Sequence, residues 1–395
     1  MFKKSRIYLD YAAATPLSKS AFLAMKPFLT EVYGNASAIH AEGVMARRAV
    51  EDARGRVATA LQVRPEFVTF TSGGTESNNL AIVGTIEALH DRGRSLADME
   101  VVTTEIEHPS VMNTMKALEA RGVKVRYATV DSEGFVNLDS LRTLLNEKTA
   151  LLTVAYANSE IGVVQKVHAL KKVLTGAEKK FGTEIFFHLD AAQAPLWLSC
   201  QFASLYADLL ALDVGKCHGP KGVGLLVRSR RAAVRPTLFG GGQESGLRPG
   251  TENVAGMVGA SVALSEAQMD FKTRAEKVAK LRDRGIEHLL REIPTAILNG
   301  PVGEDRLANN INISIPGLDT EFATVVLDKY GFAVSTKSAC AGAGGGESVV
   351  VRSIANDPTR ARSTLRISLS PHTTLKNLKD LTAVLKAHIA KMSKY

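Results

Sequence analysis

The sequence predicts an α/β protein with a doubly wound, mostly parallel sheet, the large domain, followed by a smaller α+β domain. Apolar runs such as 67–70, 150–157 and 207–212 are continuous, as in strands that are buried on both faces. Helical patterns alternate with these runs, which is typical of parallel strands joined by helical crossovers. From residue 293 onward the order of strands and helices changes, and this change indicates a second structural unit.

The elements can be placed in order along the chain from these patterns. Strands of the large domain are predicted at 67–70, 101–105, 124–130, 150–157, 184–190, 207–212 and 222–227. Helices are predicted at 37–62, 76–90 and 109–120, and one long helical stretch at 254–292. Strands of the small domain are predicted at 310–315, 332–334 and 363–370, and its helices at 320–331 and 375–392. The expected division is a large domain of residues 16–260 and a small domain of 1–15 plus 261–395.

Composition narrows the class of protein. With 395 residues, 45% hydrophobic and 23% charged, the chain can bury a sizeable core. Three cysteines cannot make a disulfide framework, the first residues lack the apolar region of a signal peptide, and no apolar run approaches the length of a membrane span. We therefore expect a cytoplasmic protein that does not enter membranes. The net charge of +9 permits binding of anions, but basic clusters are short, so nucleic-acid binding is not expected.

A glycine-rich turn follows the first strand of the large domain. The strand at 67–70 runs into TSGGTESNN and then into a helix. Glycines let a backbone approach a ligand, and a helix N-terminus favours an anion. Neither a dinucleotide glycine pattern nor a Gly-Lys-Ser/Thr motif is present. Alone, the segment predicts either a weak phosphate-binding turn or a tight turn with Thr75 as the helix cap.

Two ionisable residues follow apolar strands, where open α/β sheets place their ligands. Asp190 ends EIFFHLD, with Gln193 three residues later, and its carboxylate can keep a ring nitrogen protonated or cap a helix. Lys216 lies between two apolar strands in a turn with Gly215 and Gly219. Partial removal from water would favour its free amine for Schiff-base chemistry, whereas the simpler alternative is a turn lysine that points to solvent.

Four motifs follow one another along the chain: strand–SGGTE–helix, EHPS, HLDAAQ, and a lysine before GPKG. In this order they resemble the motifs of a fold-type I pyridoxal-phosphate enzyme of aminotransferase class V. Further motifs narrow the resemblance to the cysteine desulfurases of the long-loop type, and it covers almost the whole chain. These motifs are YLDYAAATP (8–16), YGNASAIH (33–40), TSGGTESNNLAI (71–82), EHPSV (107–111), YANSEIGVVQ (156–165), GPKGVG (219–224), GGGQESGLRPGTEN (240–253), STKSAC (335–340) and STLRISLS (363–370).

The resemblance implies a site for pyridoxal 5'-phosphate. Lys216 would hold the cofactor covalently, and Asp190 would pair with its pyridine nitrogen. Gln193 would bond the phenolic oxygen. His108, in EHPS, would lie on the ring face and assist proton transfers. The sequence thus indicates an enzyme in which the cofactor supplies the electron sink and the protein supplies orientation and charge.

The phosphate end of the implied site departs from the family pattern. Gly74 and Thr75 would bind the phosphate, and Thr251 would reach the phosphate of the neighbouring subunit, which implies a homodimer. The family has Ser and His where this chain has Asp213 and Gly215. Two donors are thereby lost and a carboxylate is added, so we expect weaker binding of the phosphate. The alternatives are that Asp213 turns away and caps a backbone turn, or that a nearby cation such as Arg248 or Lys221 offsets its charge.

The resemblance also implies how free L-cysteine is bound and cleaved. Arg366 would grip the substrate carboxylate with its guanidinium fork, and Asn158 would lie beside cofactor and substrate. Asn35 would help to bind the substrate, or else would only shape the YGNAS turn. Cys340, in the small, Gly-rich segment STKSACAGAGGG, would attack the substrate sulfur as a thiolate. The products would be a persulfide on Cys340 and alanine.

The other two cysteines are not expected to react. Cys200 follows WLS and is expected in the core. Cys217 adjoins Lys216, but adjacent side chains in a turn point apart. We expect no metal site at Cys217 and His218, because no further ligand has a suitable spacing.

The leading functional interpretation is a pyridoxal-phosphate-dependent L-cysteine desulfurase, a sulfurtransferase that passes sulfur to iron–sulfur cluster assembly or tRNA thiolation through an acceptor or scaffold protein. The enzymatic alternative is selenocysteine lyase or another class-V lyase or aminotransferase, which release of selenide rather than sulfide would identify. An alternative of another class is a cofactor-poor scaffold that binds a sulfur-acceptor protein or tRNA, suggested by the altered phosphate end and the charge of +9. Visible absorbance of a bound cofactor would exclude that alternative.

Overall fold

The structure is a computed structural model that describes residues 6–336 and 346–392. The strands are β1 (Ile7–Tyr8), β2 (Val68–Thr71), β3 (Glu100–Thr104), β4 (Lys124–Ala128), β5 (Thr149–Ala155), β6 (Phe186–Asp190), β7 (Leu209–Asp213), β8 (Gly224–Arg228), β9 (Ile297–Leu298), β10 (Asn310–Ser314), β11 (Phe332–Ala333) and β12 (Thr364–Ser368). The helices are α1 (Lys19–Met25), α2 (Pro27–Thr30), α3 (Ala41–Leu61), α4 (Gly74–Asp91), α5 (Pro109–Glu119), α6 (Leu138–Leu144), α7 (Val167–Phe181), α8 (Phe202–Leu205), α9 (Val254–Met269), α10 (Phe271–Glu292), α11 (Thr320–Lys329), α12 (Val349–Ala355), α13 (Pro358–Arg362) and α14 (Leu375–Met392).

Seven of these strands form the central sheet, in the order β2-β8-β7-β6-β5-β3-β4. All neighbours are parallel except the two pairs that include β8, which runs antiparallel to β2 and β7. Every residue of β3, β5 and β6 is buried. Burial on both faces explains why these strands have no polar alternation in sequence, and the expected mostly parallel α/β sheet is confirmed.

Two cores lie on opposite faces of the sheet. Adjacent residues of one strand belong to different cores: Phe186 packs with α4 and α5, whereas Phe187 packs with α3, α7 and α9. Leu151 and Leu152 divide in the same way. Side chains of a strand alternate between its faces, so this division places helices on both sides and confirms the doubly wound arrangement.

The C-terminal part of the chain adds two small sheets. β10 lies between β9 and β12 in an antiparallel sheet, and β1 pairs in parallel with β11. Packed on these strands are α10 and α11, and α14 packs on these two helices. The helical stretch predicted at 254–292 is two helices, because the backbone departs from helical geometry at Asp270 (φ −128°, ψ 20°). The proposed domain boundary at residue 260 stays a prediction.

Close packing of two glycines brings the start of α4 to the edge of the sheet. Gly73 precedes α4 with φ of 151°, a conformation that favours glycine. A Cβ atom on Gly224, the first residue of β8, would lie 2.4 Å from the carbonyl carbon of Gly73, so only glycine fits there. The start of α4 therefore lies beside the ends of β6 and β7. No helix in the described ranges is both long and apolar enough to cross a membrane.

Candidate active site

A pocket opens where β5, β6 and β7 end and α4 and α5 begin. Most residues that the sequence analysis singled out line it, although they are spread over more than a hundred residues of the chain. These lining residues are Gly74, Thr75, His108, Asn158, Asp190, Gln193, Asp213 and Lys216. The fold thus brings the sequence-predicted cofactor residues into one cavity at the carboxyl ends of parallel strands.

Lys216 reaches the pocket from a tight turn directly after β7. The turn covers Val214–Lys216 and is closed by Cys217 and Gly219, whose backbone N–H groups donate to the Val214 carbonyl at 3.1 and 2.9 Å. Gly219 is needed because a Cβ atom there would lie 2.7 Å from that carbonyl oxygen. Lys216 is half-buried and lines the pocket, so the solvent-directed turn lysine is excluded.

Asp190 is the last residue of β6, and its carboxylate is buried and held from two sides. Oδ1 accepts from the Ala192 backbone N–H at 3.0 Å, and Oδ2 accepts from Asn78 Nδ2 at 2.8 Å. Two donors fix the orientation of the carboxylate and leave further lone pairs for a ligand. An aromatic cationic nitrogen is a partner that such a buried carboxylate suits.

His108 caps the N-terminus of α5 with its side chain. Its Nδ1 lies 2.7 Å from Ser110 Oγ and accepts from the Ser110 backbone N–H at 3.1 Å. Burial lowers the pKa of His108, and the positive charge of Lys216 adds to this effect, while the carboxylates of Asp190 and Asp213 oppose it. The ring is therefore a largely neutral imidazole at neutral pH.

Glu107 lies beneath the pocket and plays no part in lining it. Its Oε1 accepts from Thr104 Oγ1 at 2.7 Å, and its Oε2 is buried without a partner among the described residues. Burial raises the pKa of Glu107 to about 8, and the nearby Asp190 carboxylate adds to the rise. A carboxyl group with this pKa is largely protonated at neutral pH.

The other end of the pocket is formed by the start of α4 and the turn after β7. Gly74 begins α4, whose first backbone N–H groups have no partner within the helix. Thr75 lies inside the helix and does not cap it. Asp213 Oδ1 accepts from the Gly215 backbone N–H at 3.0 Å. A Cβ atom on Gly74 would lie 3.2 Å from the Cβ of Asp213, so the glycine leaves a small cradle at the helix start.

These residues fit a cofactor with a flat ring, an aldehyde and a phosphate. Asp190 fits the ring nitrogen, Lys216 the aldehyde, and the glycine cradle at the helix start fits an anion. Asp213 fits least well, because its carboxylate borders the place an anion would take. Gly215 is buried behind this place, and its carbonyl accepts from the backbone and side chain of Thr15 at 3.1 and 2.9 Å.

Asn158 and Gln193 contribute side-chain amides to the pocket wall, and hydrogen bonds to the backbone hold these amides in place. Asn158 Oδ1 accepts from the N–H groups of Glu160 and Ile161 at 2.8 and 2.9 Å, and its Nδ2 donates to the Ile106 carbonyl at 2.8 Å. Gln193 Nε2 donates to the carbonyl of Ala12 at 2.9 Å. Both side chains are thereby fixed before any ligand binds.

Arg366, on β12, lies one residue layer behind the pocket. Its side chain is 1% exposed and donates to Asp10 Oδ1 at 2.9 Å and to the carbonyl of Ser159, which lines the pocket, at 3.0 Å. Its Nε is buried and has no partner among the described residues. This nitrogen is a donor that an acceptor from a ligand can satisfy.

Two of the sequence-predicted residues lie away from this pocket. Asn35 is exposed, and its Oδ1 accepts from the Ser37 backbone N–H at 2.9 Å, as a turn-forming asparagine does. Thr251 is exposed and does not line the pocket of its own chain. A role for either residue at a ligand remains a prediction.

The three cysteines differ in position. Cys200 and Cys217 are buried, Cys200 in the core as expected, and burial raises the pKa of both thiols well above the ordinary range. Neither can easily supply a thiolate. Cys340 lies outside the described residues. In the described ranges no three His, Cys, Asp or Glu side chains form a group that could hold a metal ion.

Three residues of the site were missed by the sequence analysis: Asn78, Ser110 and Asp10. Asn78 follows Gly74 by four residues on α4, a spacing that places both on one face of the helix. Ser110 follows His108 by two residues in the EHPS motif. These spacings were visible in the sequence, but the contact of Asn78 with Asp190, across 112 residues, was not.

Comparison with known proteins agrees with this geometry. The class-V aminotransferase family matches residues 7–381 of the chain. The cysteine desulfurase IscS of Dictyoglomus turgidum is 38% identical over 389 residues, which cover 98% of this chain and 96% of that protein. A solved structure of a NifS-like protein has a TM-score of 0.88 at 32% identity and covers 98% of this chain and 99% of its own. A structure of SspA in complex with cysteine has a TM-score of 0.78 at 31% identity, covering 93% and 99%.

Proposed function

Because the chain belongs to the cysteine desulfurases of the class-V aminotransferase family, we propose that it binds pyridoxal 5'-phosphate and converts free L-cysteine to alanine. The observation that carries this proposal is the meeting of Lys216, Asp190 and His108 in one pocket. An amine, a buried carboxylate and a neutral imidazole are the groups that chemistry at an amino-acid α-carbon requires.

Pyridoxal phosphate supplies an electron sink for negative charge at the substrate α-carbon. Asp190 would hold a proton on the ring nitrogen, because a buried carboxylate that is already oriented by two donors stabilises a cation beside it. Lys216 would hold the cofactor through its aldehyde, and its free Nζ would accept the proton from the substrate α-carbon. Because Lys216 lines the pocket, the same amine would also return that proton to the substrate.

The substrate carboxylate is assigned to Arg366. Asp10 and the Ser159 carbonyl hold two of the guanidinium nitrogens, and the third, Nε, has no acceptor among residues 6–336 and 346–392. A substrate carboxylate that completes this set would be recognised by direction as well as by charge. Asp10 then acts as a positioning residue, since it fixes the plane of the guanidinium.

The sulfur acceptor is assigned to Cys340. Residues on both sides of its segment are anchored to the site: Ser335 exchanges two backbone hydrogen bonds with Arg366, at 3.1 and 2.7 Å, and Ser348 bonds the Glu160 carboxylate. The Cys340 thiolate forms a bond to the substrate sulfur while the bond between that sulfur and the substrate β-carbon breaks. The electron pair stays on the substrate, which takes up protons and leaves as alanine.

We also propose a homodimer. Side chains of Tyr33, Ile39 and Phe239 are large, apolar and strongly exposed on the segments that precede α3 and the 240–253 block. α3 and the same block line a common groove of the surface. An apolar face of this kind fits a second copy of the chain, which would bring Thr251 to the phosphate of its neighbour. Light scattering that finds an active monomer would contradict this proposal.

Sulfur is proposed to pass from Cys340 to an acceptor or scaffold protein for iron–sulfur cluster assembly or tRNA thiolation. The persulfide is a covalent but labile carrier that thiolates can attack. We place this transfer in the cytoplasm, where three free cysteines stay reduced.

One experiment tests the proposed function. The purified protein is given L-cysteine, alanine is measured, and the peptides are analysed by mass spectrometry for added sulfur. We expect alanine together with added sulfur on the Cys340 peptide alone, because the thiols of Cys200 and Cys217 are buried and protonated. Cys340→Ser should keep the cofactor and lose the added sulfur. Sulfur on Cys200 or Cys217, or unchanged turnover in Cys340→Ser, would refute the assignment.

A further inference from the structure

Four side chains of the pocket form a continuous chain of hydrogen bonds from His108 to Asp190. His108 Nδ1 lies 2.7 Å from Ser110 Oγ, Ser110 Oγ lies 2.9 Å from Asn78 Nδ2, and the same Nδ2 lies 2.8 Å from Asp190 Oδ2. Asn78, Ser110 and Asp190 are all buried. These hydrogen bonds connect the N-terminus of α5 to the end of β6 through α4.

The chemistry of Asp190 and His108, at the two ends of this series of hydrogen bonds, decides which group donates in each bond. The Asp190 carboxylate can only accept, so the NH₂ group of Asn78 must face it. The second N–H of that group donates to Ser110 Oγ, while Asn78 Oδ1 is buried without a partner among the described residues. The backbone N–H of Ser110 also points at His108 Nδ1, so Nδ1 is an acceptor and the hydroxyl hydrogen of Ser110 is directed to it.

A second donor faces the same nitrogen of His108. The backbone N–H of Ser110 points to Nδ1 at 3.1 Å, and a backbone N–H has no acceptor role. Two donors at Nδ1 require an unprotonated nitrogen with a lone pair there. A neutral ring then carries its hydrogen on Nε2, the nitrogen on the other edge of the ring, which is the one available to the pocket.

We propose that Asn78 and Ser110 are positioning residues that hold His108 as the neutral Nε2–H tautomer, so that the ring presents a hydrogen-bond donor to the ligand. Protonation at Nδ1 is disfavoured, because it would set one N–H against another. Burial and Lys216 also disfavour a charged ring, whereas Asp190 and Asp213 favour it. Proton removal from the substrate is then left to Lys216, and His108 serves as a donor. The inference rests on the proposed function for the identity of the ligand, but the tautomer itself does not depend on it.

The test is nuclear magnetic resonance of the full chain labelled with ¹⁵N in its nine histidines, with and without added pyridoxal phosphate. Long-range correlations from ring carbon-bound hydrogens show which nitrogen carries a proton, and loss of one set in His108→Gln assigns His108. We expect an unprotonated Nδ1 and a protonated Nε2 throughout the neutral pH range. A charged ring or the Nδ1–H tautomer would overturn the proposal.

The variant that separates positioning from mere folding is Asn78→Asp. The carboxyl group at 78 would share one proton with the adjacent Asp190 carboxyl group. Its oxygen that faces Ser110 then accepts the serine hydrogen, so the serine no longer donates to His108. The share of His108 with a protonated Nδ1 should rise at least about tenfold, since one hydrogen bond to a group of this kind is about 1.5 kcal/mol. Asn79→Asp adds the same charge at the next position of α4, outside the chain of hydrogen bonds, and should leave the tautomer unchanged.

Two outcomes of the variant decide the proposal. If Asn78→Asp folds, by circular dichroism, and His108 keeps the Nε2–H tautomer with the same titration, the positioning role is refuted. If Asn78→Asp does not fold, Ser110→Ala takes its place, because it removes the hydroxyl that donates to His108 and accepts from Asn78 and adds no charge. The proposal then requires that the pKa of His108 rises in Ser110→Ala, and an unchanged titration refutes it. Neither result depends on whether Cys340 accepts sulfur, so failure of this inference and failure of the proposed function remain distinguishable.

Discussion

The two ends of the active-site pocket are built differently. At the end formed by His108 and Asp190, His108 Nδ1 and both carboxylate oxygens of Asp190 lie within hydrogen-bond distance of donors, at 2.7 to 3.1 Å. At the end formed by Gly74 and Asp213, the start of a helix leaves backbone N–H groups open, and a carboxylate stands beside them. The first end is held by hydrogen bonds, whereas the second combines a site for an anion with a negative charge.

This difference separates chemistry from affinity. Groups that handle protons need fixed positions, because a small misplacement at the reacting atoms is costly to the rate. Groups that hold the phosphate set how long the cofactor stays, and they tolerate change as long as enough binding energy remains. We therefore expect substitutions at the first end to alter turnover and substitutions at the second to alter cofactor affinity.

The largest effect is expected at Lys216, which lies between the two ends. Lys216→Ala removes the only amine that lines the pocket in the described part of the chain, so covalent attachment of the cofactor and all turnover should be lost. The visible absorbance band of the bound cofactor measures attachment. Lys221→Ala is the matched control, because Lys221 lies in the same loop but bonds the carbonyl of Thr15, and it should keep the band. A normal band and alanine production in Lys216→Ala would exclude the assignment.

A smaller effect is expected at the end with fixed hydrogen bonds. Asp190→Asn keeps the shape and an acceptor oxygen but loses the negative charge. Turnover should fall about 10- to 150-fold, which corresponds to one charge-assisted hydrogen bond of about 1.5–3 kcal/mol. Steady-state kinetics should show the loss in kcat, with cofactor affinity nearly unchanged. A loss confined to affinity would contradict the comparison between the two ends.

The same end should also make stability depend on pH through Glu107. Its pKa is about 8 in the folded protein and near 4.5 when unfolded, so the folded state binds more protons between these values and stability falls as pH rises. Between pH 6 and 7 the loss is at most about 1.4 kcal/mol. Glu107→Gln cannot ionise and should remove this loss in denaturant titrations. Glu105→Gln, at an exposed neighbour, should leave it unchanged.

The sequence was a good guide to the parts of the molecule that follow from local patterns. Apolar runs placed the strands of the central sheet, and strand ends placed Asp190 and Lys216. The break at Asp270 was not predicted, because the sequence on both sides of it is helical. Asn78 and Ser110 were missed, because polar residues in helices are usually at the surface and their burial depends on contacts with distant segments. For the same reason, the sequence left open whether Asp213 caps the turn after β7. The structure shows this cap as a hydrogen bond from the Gly215 backbone N–H to Asp213.

The smallest expected effect, at the phosphate end, concerns Asp213 and Gly215. The structure couples the two residues, since a Cβ atom on Gly215 would lie 3.2 Å from Asp213 Oδ1, which is close enough to require that the carboxylate shift. Gly215 has no positive φ, so a side chain is otherwise allowed there. The double variant Asp213→Ser with Gly215→His removes both the carboxylate and this conflict, and it supplies two donors near the start of α4. A serine at 213 can still accept from the backbone N–H of residue 215, so the turn after β7 should persist.

If only one new donor reaches the phosphate, the gain is about 1.5 kcal/mol, or roughly tenfold in the Kd for pyridoxal phosphate. Titration of the cofactor-free protein measures this gain, and pyridoxal without its phosphate is the matched ligand, whose binding should change little. Gly215→His alone should gain less than the double variant, because Asp213 remains in its way. If the double variant binds pyridoxal phosphate no better than the unchanged protein, then Asp213 supports the cofactor site by capping the turn that carries Lys216, and the phosphate end is as fixed as the other.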